Sequence, residues 1–226
     1  MATASGNLSP SNGQTTVWEE AYRQFQTPQQ EIRKFTKRLK AMGFLSISKD
    51  SEIVELFCGR GNGLIALSRM GFSQLAGVDL SPVLLSQYPG TAECLVADCR
   101  SLPFATHSKD VAVIQGGLHH LETIPADLHR CLKEIHRMLR PDGQIFIVEP
   151  WDTPFLSIVH AICKVRCIRR FVPKIDALAT MIEQEHVTYC QWLNKPRAIL
   201  AAFEAYFVCK QVKCRWGKVI FIGSPR

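Results

Sequence analysis

The feature that most constrains the fold is an alternation of short apolar runs with helical patterns in the middle of the chain. The runs are rich in valine, isoleucine and leucine, as expected of strands buried on both faces of a parallel sheet. They cover residues 53–57, 75–78, 94–97, 111–115 and 145–148. Helical patterns separate several of them, at residues 64–70, 82–88 and 126–139. Right-handed crossovers between such strands predict a doubly wound α/β sheet.

The N-terminal segment follows a different pattern. Residues 1–16 are polar and are expected to form a disordered tail. Within residues 17–43, Thr27 and Gln30 have the spacing of a capping box, and Pro28 suits the first turn of a helix. The segment after the tail is therefore expected to form N-terminal helices.

The alternation of strands and helices also stops in the C-terminal third of the chain. Residues 151–200 have mostly helical patterns and are expected to form a cap that selects the substrate. Residues 207–214 and 218–222 predict two strands, and the short connection between them favours antiparallel pairing. We expect residues 17–226 to form one Rossmann-like domain, with a mostly parallel seven-stranded sheet, an antiparallel C-terminal hairpin and a helical cap.

Composition and charge narrow the possible compartments and partners. The nine cysteines include no C-x-x-C pair, which favours reduced thiols in a cytoplasmic protein and predicts no metal site. The chain has no apolar run of spanning length and no secretory pattern at its start. The net charge is +7, and a basic group lies within residues 164–174. That group is typical of a solvated face, but also of contact with an anionic acceptor, a membrane surface or nucleic acid.

A glycine-rich turn follows the first apolar run, in the segment Glu55-Leu56-Phe57-Cys58-Gly59-Arg60-Gly61. Glycine lets the backbone adopt left-handed dihedral angles and approach a ligand closely. A helix begins directly afterwards, and its free N–H groups face the cleft in which open α/β sheets bind ligands. Acids end the next two runs, at Asp79 and Asp98. A carboxylate at Asp79 can accept hydrogen bonds from both hydroxyls of a ribose.

These residues carry a resemblance to class I S-adenosylmethionine (SAM)-dependent methyltransferases, in particular the small-molecule, ubiquinone-biosynthesis-like (methyltransferase type 11) branch. The resemblance extends over about residues 53–149. The matching motifs are Glu55-x-x-x-Gly59-x-Gly61, Gly77-Val78-Asp79-Leu80-Ser81, Ala97-Asp98-Cys99-x-x-Leu102-Pro103-Phe104, Leu118-His119-His120-Leu121 and Leu139-Arg140-Pro141-x-Gly143. The resemblance implies a SAM-dependent methyl transfer and a role for each matching position.

The implied SAM site uses most of these positions. Gly59 and Gly61 would line the methionine part of SAM, with Gln115 nearby, and Glu55 would hold the amino group. The remaining implied contacts involve Asp79 and Leu80 at the ribose, Asp98 and Cys99 at the adenine, and Tyr22 in an N-terminal helix that covers the cleft. The chain departs from the family at Phe57, where glycine is usual, so the pocket is expected to have a different shape there.

The predicted acceptor side follows the fourth and fifth runs. His119 and His120 follow the fourth run and are candidate general bases, because histidine titrates near neutrality. Methyl transfer can also proceed by positioning alone. The mixed apolar and basic composition of residues 151–200 suits a small or amphipathic, lipid-like or anionic acceptor, and also peripheral membrane contact.

Three rival functions are left open by the sequence. A nicotinamide dehydrogenase needs G-x-G-x-x-G, but Leu64 occupies the third glycine position. A nucleic-acid methyltransferase is suggested by the charge, but the chain reads Gln115-Gly116-Gly117-Leu118 where that class has N/D-P-P. No nucleic-acid partner is therefore expected. A SAM-binding protein without transferase activity is the third alternative. The acceptor and the oligomeric state are not predicted.

Overall fold

A computed structural model of the chain describes residues 12–226. One sheet contains seven strands in the order β3-β2-β1-β4-β5-β7-β6. Strands β1 to β5 are parallel, and β7 runs antiparallel between β5 and β6. The strands are β1 Ile53–Leu56, β2 Leu75–Asp79, β3 Glu93–Val96, β4 Lys109–Gln115, β5 Leu139–Pro150, β6 Phe207–Arg215 and β7 Lys218–Pro225. The predicted fold class and the antiparallel hairpin are confirmed.

Helices cover both faces of the sheet and its carboxyl-terminal edge. In the described part of the chain they are α1 Asn12–Phe25, α2 Pro28–Ala41, α3 Asn62–Arg69, α4 Pro82–Leu85, α5 Ala126–Met138, α6 Pro154–Cys163, α7 Arg166–Phe171, α8 Pro173–Gln184, α9 His186–Leu193 and α10 Pro196–Tyr206. Short 3₁₀ helices lie at Phe44–Ser46 and Leu118–His120. No helix among residues 12–226 combines the length and the apolar character needed to cross a membrane.

The start of the chain corrects one expectation. Helix α1 begins at Asn12, so the last five residues of the expected tail, 12–16, are helical, while residues 1–11 lie outside the described residues. The predicted capping box of α2 is present. The Thr27 hydroxyl accepts a hydrogen bond from the Gln30 N–H (3.3 Å), and the Gln30 side chain accepts one from the Thr27 N–H (3.2 Å). These bonds satisfy two N–H groups that a helix start leaves free.

The core forms two layers, one on each face of the sheet. On one face α5 and α10 pack through residues such as Leu132 and Phe203, and on the other α2 and α3 pack through residues such as Leu39 and Leu67. Helix α10 therefore belongs to the sheet domain, although residues up to 200 were expected in the cap. Helices α6 to α9 form the cap, and α8 packs against α1.

The sheet order determines where a ligand can bind. Strand β1 lies between β2 and β4, because the chain passes from β1 to β2 and β3 on one side and then crosses to β4 on the other side. Such a switch point leaves a crevice at the carboxyl ends of the strands. Helices α1 and α2 and the cap surround this crevice.

Candidate active site

A cavity of about 850 Å³ lies at the carboxyl ends of β1, β2 and β4. Its wall combines the glycine-rich turn, the N-terminal helices, the cap and the start of β7. The sequence-predicted residues that line it are Tyr22, Glu55, Phe57, Gly59, Asp79, Leu80, Asp98, Cys99, Gln115, His119 and His120. Residues far apart in the sequence therefore converge on one cavity large enough for more than one small molecule.

The two glycines of the turn after β1 have different surroundings. Both have left-handed backbones, with φ of +52° at Gly59 and +70° at Gly61. A Cβ built on Gly59 would find its nearest neighbour, Leu84, 4.0 Å away, so this backbone is open to the cavity. A Cβ on Gly61 would lie 2.2 Å from the ring of Tyr88, and Gly61 does not line the cavity. Gly61 shapes the turn and packs against Tyr88, and its predicted contact with SAM stays a prediction.

Phe57 fills space beside the turn after β4. It is half-buried, and its own backbone is left-handed, with φ of +56°. A Cβ on Gly117 would lie 2.2 Å from the Phe57 ring, so the ring lies directly on the Gly117 backbone. The bulky residue that replaces the usual glycine therefore narrows the cavity between the first and fourth strands.

The carboxylate of Asp79 is fixed by backbone groups. It accepts hydrogen bonds from the N–H of Gly59 at 2.8 Å and from the N–H of Ser81 at 2.9 Å. These bonds use one lone pair on each oxygen and leave the others available to a ligand in the cavity. The same contacts join the glycine turn to the end of β2.

Asp98 has a partner that the sequence reasoning did not anticipate. The Arg100 Nε donates to both carboxylate oxygens at 3.0 Å, and Nη2 donates to Oδ2 at 2.7 Å. Arg100 Nη1 also donates to Asp127 at 3.1 Å. The hydrogen bonds from Arg100 hold the pKa of Asp98 below its usual range. Asp98 lines the cavity, but an adenine amino group would share its oxygens with this guanidinium.

Two buried polar atoms beside the turn lack partners among the described residues. They are Oε2 of Glu55 and Nε2 of Gln115. Burial raises the pKa of Glu55 to about 8. A Cβ on Gly63 would lie 1.8 Å from a Glu55 carboxylate oxygen, so this glycine provides the space for the carboxyl group. Buried polar atoms normally have hydrogen-bond partners, so an unpaired acceptor and an unpaired donor indicate a place where a polar ligand would supply the missing bonds.

The opposite wall of this region is basic. On α2, Lys34 and Arg38 lie one turn apart, and Lys218 begins β7. Arg38 donates to the Gln115 side-chain oxygen at 3.1 Å. Desolvation, followed by repulsion from Arg38 and Lys34, lowers the pKa of Lys218 to about 7. Within residues 12–226, none of the three forms an ion pair. The cations therefore remain available to an anionic group in the cavity.

A histidine and two glutamates form a chain at the end of β4. The Glu149 side chain is fully buried and accepts from the N–H groups of Gly117 and Leu118, each at 2.8 Å. Its other oxygen lies 2.7 Å from His119 Nδ1, while His119 Nε2 faces Glu185 on the cap at 3.5 Å. Burial lowers the pKa of His119, but the two carboxylates outweigh that effect and raise it to about 9.

His120 completes this group. Its Nδ1 lies 3.7 Å from Glu185, and its ring centroid lies 4.1 Å from that of His119. The side chain is 40% exposed, so it is the most open member of the group. Both predicted histidines therefore line the same part of the cavity, together with a glutamate from the cap.

The cap supplies an apolar wall next to the histidines. The residues on it come mainly from α6 and α8, together with Trp216 from the turn before β7; they are Phe155, Leu156, Val159, Ile175, Leu178, Met181, Ile182 and Trp216. Trp18 and Tyr22 stack on the cavity side of α1, with ring centroids 5.0 Å apart. The cavity thus has a polar half at the glycine turn and an apolar half under the cap.

Sequence reasoning missed several residues of the site. Glu31, Lys34 and Arg38 have the three- and four-residue spacing of one helix face, which was a usable signal. Glu31 accepts a hydrogen bond from the buried Asn62 side chain at 2.6 Å. No such signal exists for Glu185, which is 65 residues beyond His120 and reaches it only through the cap.

Known proteins give an independent view of this domain. A family profile described as a methyltransferase domain matches residues 54–147. The matched stretch includes the glycine turn, both acids and the histidines. Residues 54–147 are therefore similar to the methyltransferase domains of that family. This match agrees with the family resemblance predicted from the sequence.

The curated relatives share only part of their length with the chain. A demethylmenaquinone methyltransferase of Chlorobaculum tepidum is 30% identical over 115 residues, covering 49% of this chain and 46% of the relative. A 2-phytyl-1,4-naphtoquinone methyltransferase of Nostoc is 34% identical over 107 residues, covering 42% and 45%. The chain therefore matches about half the length of these relatives.

Solved structures share the methyltransferase fold over most of the chain. A protein from Pyrococcus horikoshii is similar with a TM-score of 0.67 at 16% identity, covering 92% of this chain and 98% of that one. The geranyl diphosphate C-methyltransferase of Streptomyces coelicolor, solved with Mg²⁺, geranyl diphosphate and S-adenosylhomocysteine (SAH), has a TM-score of 0.62 at 14% identity, covering 100% and 90%. At these identities the likeness shows the fold alone.

Proposed function

We propose that the protein transfers the methyl group of SAM to an amphipathic small molecule that carries an acidic group. The observation that carries this proposal is the division of one cavity into two halves. The polar half contains Glu55, Gln115 and the open backbone at Gly59, and the apolar half under the cap is continuous with it. A methyl donor and an apolar acceptor need this arrangement to meet.

The residues of the polar half fit SAM. The Glu55 carboxyl group, whose Oε2 lacks a partner among the described residues, would bind the amino group. Arg38, beside Gln115, would bind the carboxylate of the methionine part. The backbone at Gly59 leaves room for that part to approach. The free lone pairs of Asp79 would bind the ribose hydroxyls, with Leu80 next to them. SAM supplies an electrophilic methyl group, and the protein holds the acceptor in line with it.

Asp98 and Cys99 are proposed to flank the adenine, and Tyr22 to cover the cofactor. Because Arg100 occupies part of the Asp98 carboxylate, the adenine amino group would add a bond to this pair rather than replace it. Tyr22 is stacked on Trp18 and lies against the Arg60 guanidinium, 5.3 Å from its ring centroid. These contacts hold the ring over the glycine turn and exclude water from the donor.

The apolar half is proposed to bind the acceptor. Its walls suit a hydrocarbon or aromatic body, and Lys34 and Lys218 would neutralise an acidic group on it. The names of two relatives, a demethylmenaquinone methyltransferase and a 2-phytyl-1,4-naphtoquinone methyltransferase, agree with such a body. His119 and His120 are the proposed catalytic residues, because they face the cavity where the two halves meet.

The outer face of the cap is proposed to contact a membrane surface, from which an amphipathic acceptor would enter. Phe171 is 80% exposed and Val187 77% exposed. Exposed basic side chains adjoin the former, at Arg170 and Lys174. Apolar side chains among basic ones are typical of interfacial binding. Co-sedimentation of wild type and Phe171→Ser with anionic vesicles tests this contact. Weaker binding of Phe171→Ser would support it, and equal binding of the two proteins would contradict it.

Calorimetric titration with SAH and with NADH tests the cofactor assignment. We expect SAH binding and no NADH binding. Methyl transfer from radiolabelled SAM should then be measured with short-tailed hydroquinones, with and without a carboxylate, and with RNA. Transfer to a hydroquinone supports the proposal. Transfer to RNA alone favours a nucleic-acid methyltransferase, and SAH binding without transfer to any acceptor favours a non-catalytic SAM-binding protein.

A further inference from the structure

We propose that His119, His120 and Glu185 bind a divalent transition-metal ion on the acceptor side of the cavity. One ligand atom from each of the three residues lies within 4.8 Å of the other two. All three side chains line the cavity. Two imidazoles and one carboxylate are a ligand set that zinc and other first-row metals accept. The inference rests on the proposed function for the identity of the neighbouring acceptor.

The distances within the group suit metal ligands better than hydrogen bonds. His119 Nε2 lies 3.5 Å from Glu185, and His120 Nδ1 lies 3.7 Å from it. Good hydrogen bonds between such groups are about 2.7–3.0 Å long. Ligand atoms around one ion with bonds of about 2.1 Å are roughly 3.0–3.5 Å apart. A small inward movement of each side chain would therefore close the site around an ion.

The surroundings of His119 are those of a metal-binding histidine. Glu149 accepts the Nδ1 proton at 2.7 Å and is itself held by the N–H groups of Gly117 and Leu118. Metal-bound histidines usually have such a carboxylate on the other ring nitrogen, where it fixes the ring and strengthens the ligand. In this arrangement Nε2 is left to face the cavity.

The charges also balance. Glu149 and Glu185 together carry two negative charges, and two neutral imidazoles add none, so a divalent cation would leave the group neutral. The proton on His119 Nε2 would pass to solvent when the ion binds. Three protein ligands leave a position open toward the cavity, which is the feature of catalytic rather than structural metal sites. An acceptor oxygen at that position would be held and polarised by the ion.

Titration of the chelator-treated, full-length protein with Co²⁺ tests the site. We expect one Co²⁺ per chain, with visible d–d absorption bands and no thiolate-to-cobalt charge-transfer band in the near ultraviolet. Glu185→Gln and His120→Gln should each weaken Co²⁺ binding by at least about tenfold. Cys167→Ser, which removes an exposed thiol elsewhere on the cap, should leave Co²⁺ affinity unchanged. If Glu185→Gln does not fold, His120→Gln still tests the site, because His120 is half-exposed and its replacement disturbs the core less.

SAH titration of the same wild-type protein separates the two proposals. Binding of SAH without Co²⁺ binding at this site overturns the metal site and leaves the proposed function in place. Co²⁺ binding that Glu185→Gln and His120→Gln do not affect, or that Cys167→Ser abolishes, also overturns the metal site. Site-specific Co²⁺ binding without SAH binding refutes the proposed function instead.

Discussion

The buried carboxyl group of Glu55 should make the stability of the protein depend on pH in a way that Glu55→Gln removes. The carboxyl group has no partner for Oε2 among the described residues, and burial raises its pKa from 4.5 to about 8. A group whose pKa is higher in the folded state stabilises that state fully below its unfolded pKa. The contribution is lost as the pH rises through the folded pKa. Wild-type stability should therefore fall, relative to Glu55→Gln, between about pH 4.5 and pH 8.

The size of this effect follows from the two pKa values. A pKa rise from 4.5 to about 8 corresponds to about 5 kcal/mol when the group is fully ionised, at about 1.4 kcal/mol per pKa unit. Between about pH 5 and pH 8 the change in unfolding free energy is roughly 3–4 kcal/mol. That change is a large fraction of the stability of a typical domain.

Urea unfolding of wild type and Glu55→Gln at several pH values measures this change in unfolding free energy. Other titrating groups are common to wild type and Glu55→Gln, so the difference between their unfolding free energies isolates Glu55. We expect this difference to shift in favour of Glu55→Gln as the pH rises. Parallel stability curves for the two proteins would contradict this prediction, because they would mean that Glu55 is solvated or paired in the folded state.

Three other perturbations test separate parts of the site. Asp79→Asn should weaken SAH binding by roughly 1.5–3 kcal/mol, measured by calorimetry, through loss of charge-assisted hydrogen bonds; wild-type affinity would contradict the ribose contact. Deletion of residues 1–26 should also weaken SAH binding, because α1 lines the cavity; an unchanged dissociation constant would remove the covering role of that helix. Gly117→Ala should lower the unfolding free energy by about 1–3 kcal/mol, because its Cβ would lie 2.2 Å from Phe57; unaltered stability in urea would show that the ring moves freely.

The fold was predictable because its signals are local. Short apolar runs, glycine turns and a capping box each depend on neighbouring residues. Most strands lie close to their predicted bounds, and α2 begins at the predicted capping box. The sequence pattern did not predict where β5 begins. The strand begins at Leu139, where pairing with Lys109 across the sheet extends it beyond the predicted 145–148. That pairing is a tertiary contact, which sequence patterning does not report.

The site was predictable only where the fold fixes a position. The ends of β1, β2 and β4 must meet at one edge, so Glu55, Asp79 and Gln115 could be placed together in advance. The packing of Gly61 on Tyr88 and the pairing of Asp98 with Arg100 depend on side-chain conformations that the motif does not determine. Contacts from the cap depend on how its helices fold back over the sheet.

A crystal structure of the protein with SAH would show whether the polar half of the cavity binds the methyl donor. The ribose hydroxyls should lie within hydrogen-bond distance of the Asp79 carboxylate, and the amino group should lie beside Glu55, with the sulfur pointing to the apolar half of the cavity. A structure in which SAH lies elsewhere, or in which side chains close the space beside Gly59, would contradict the account.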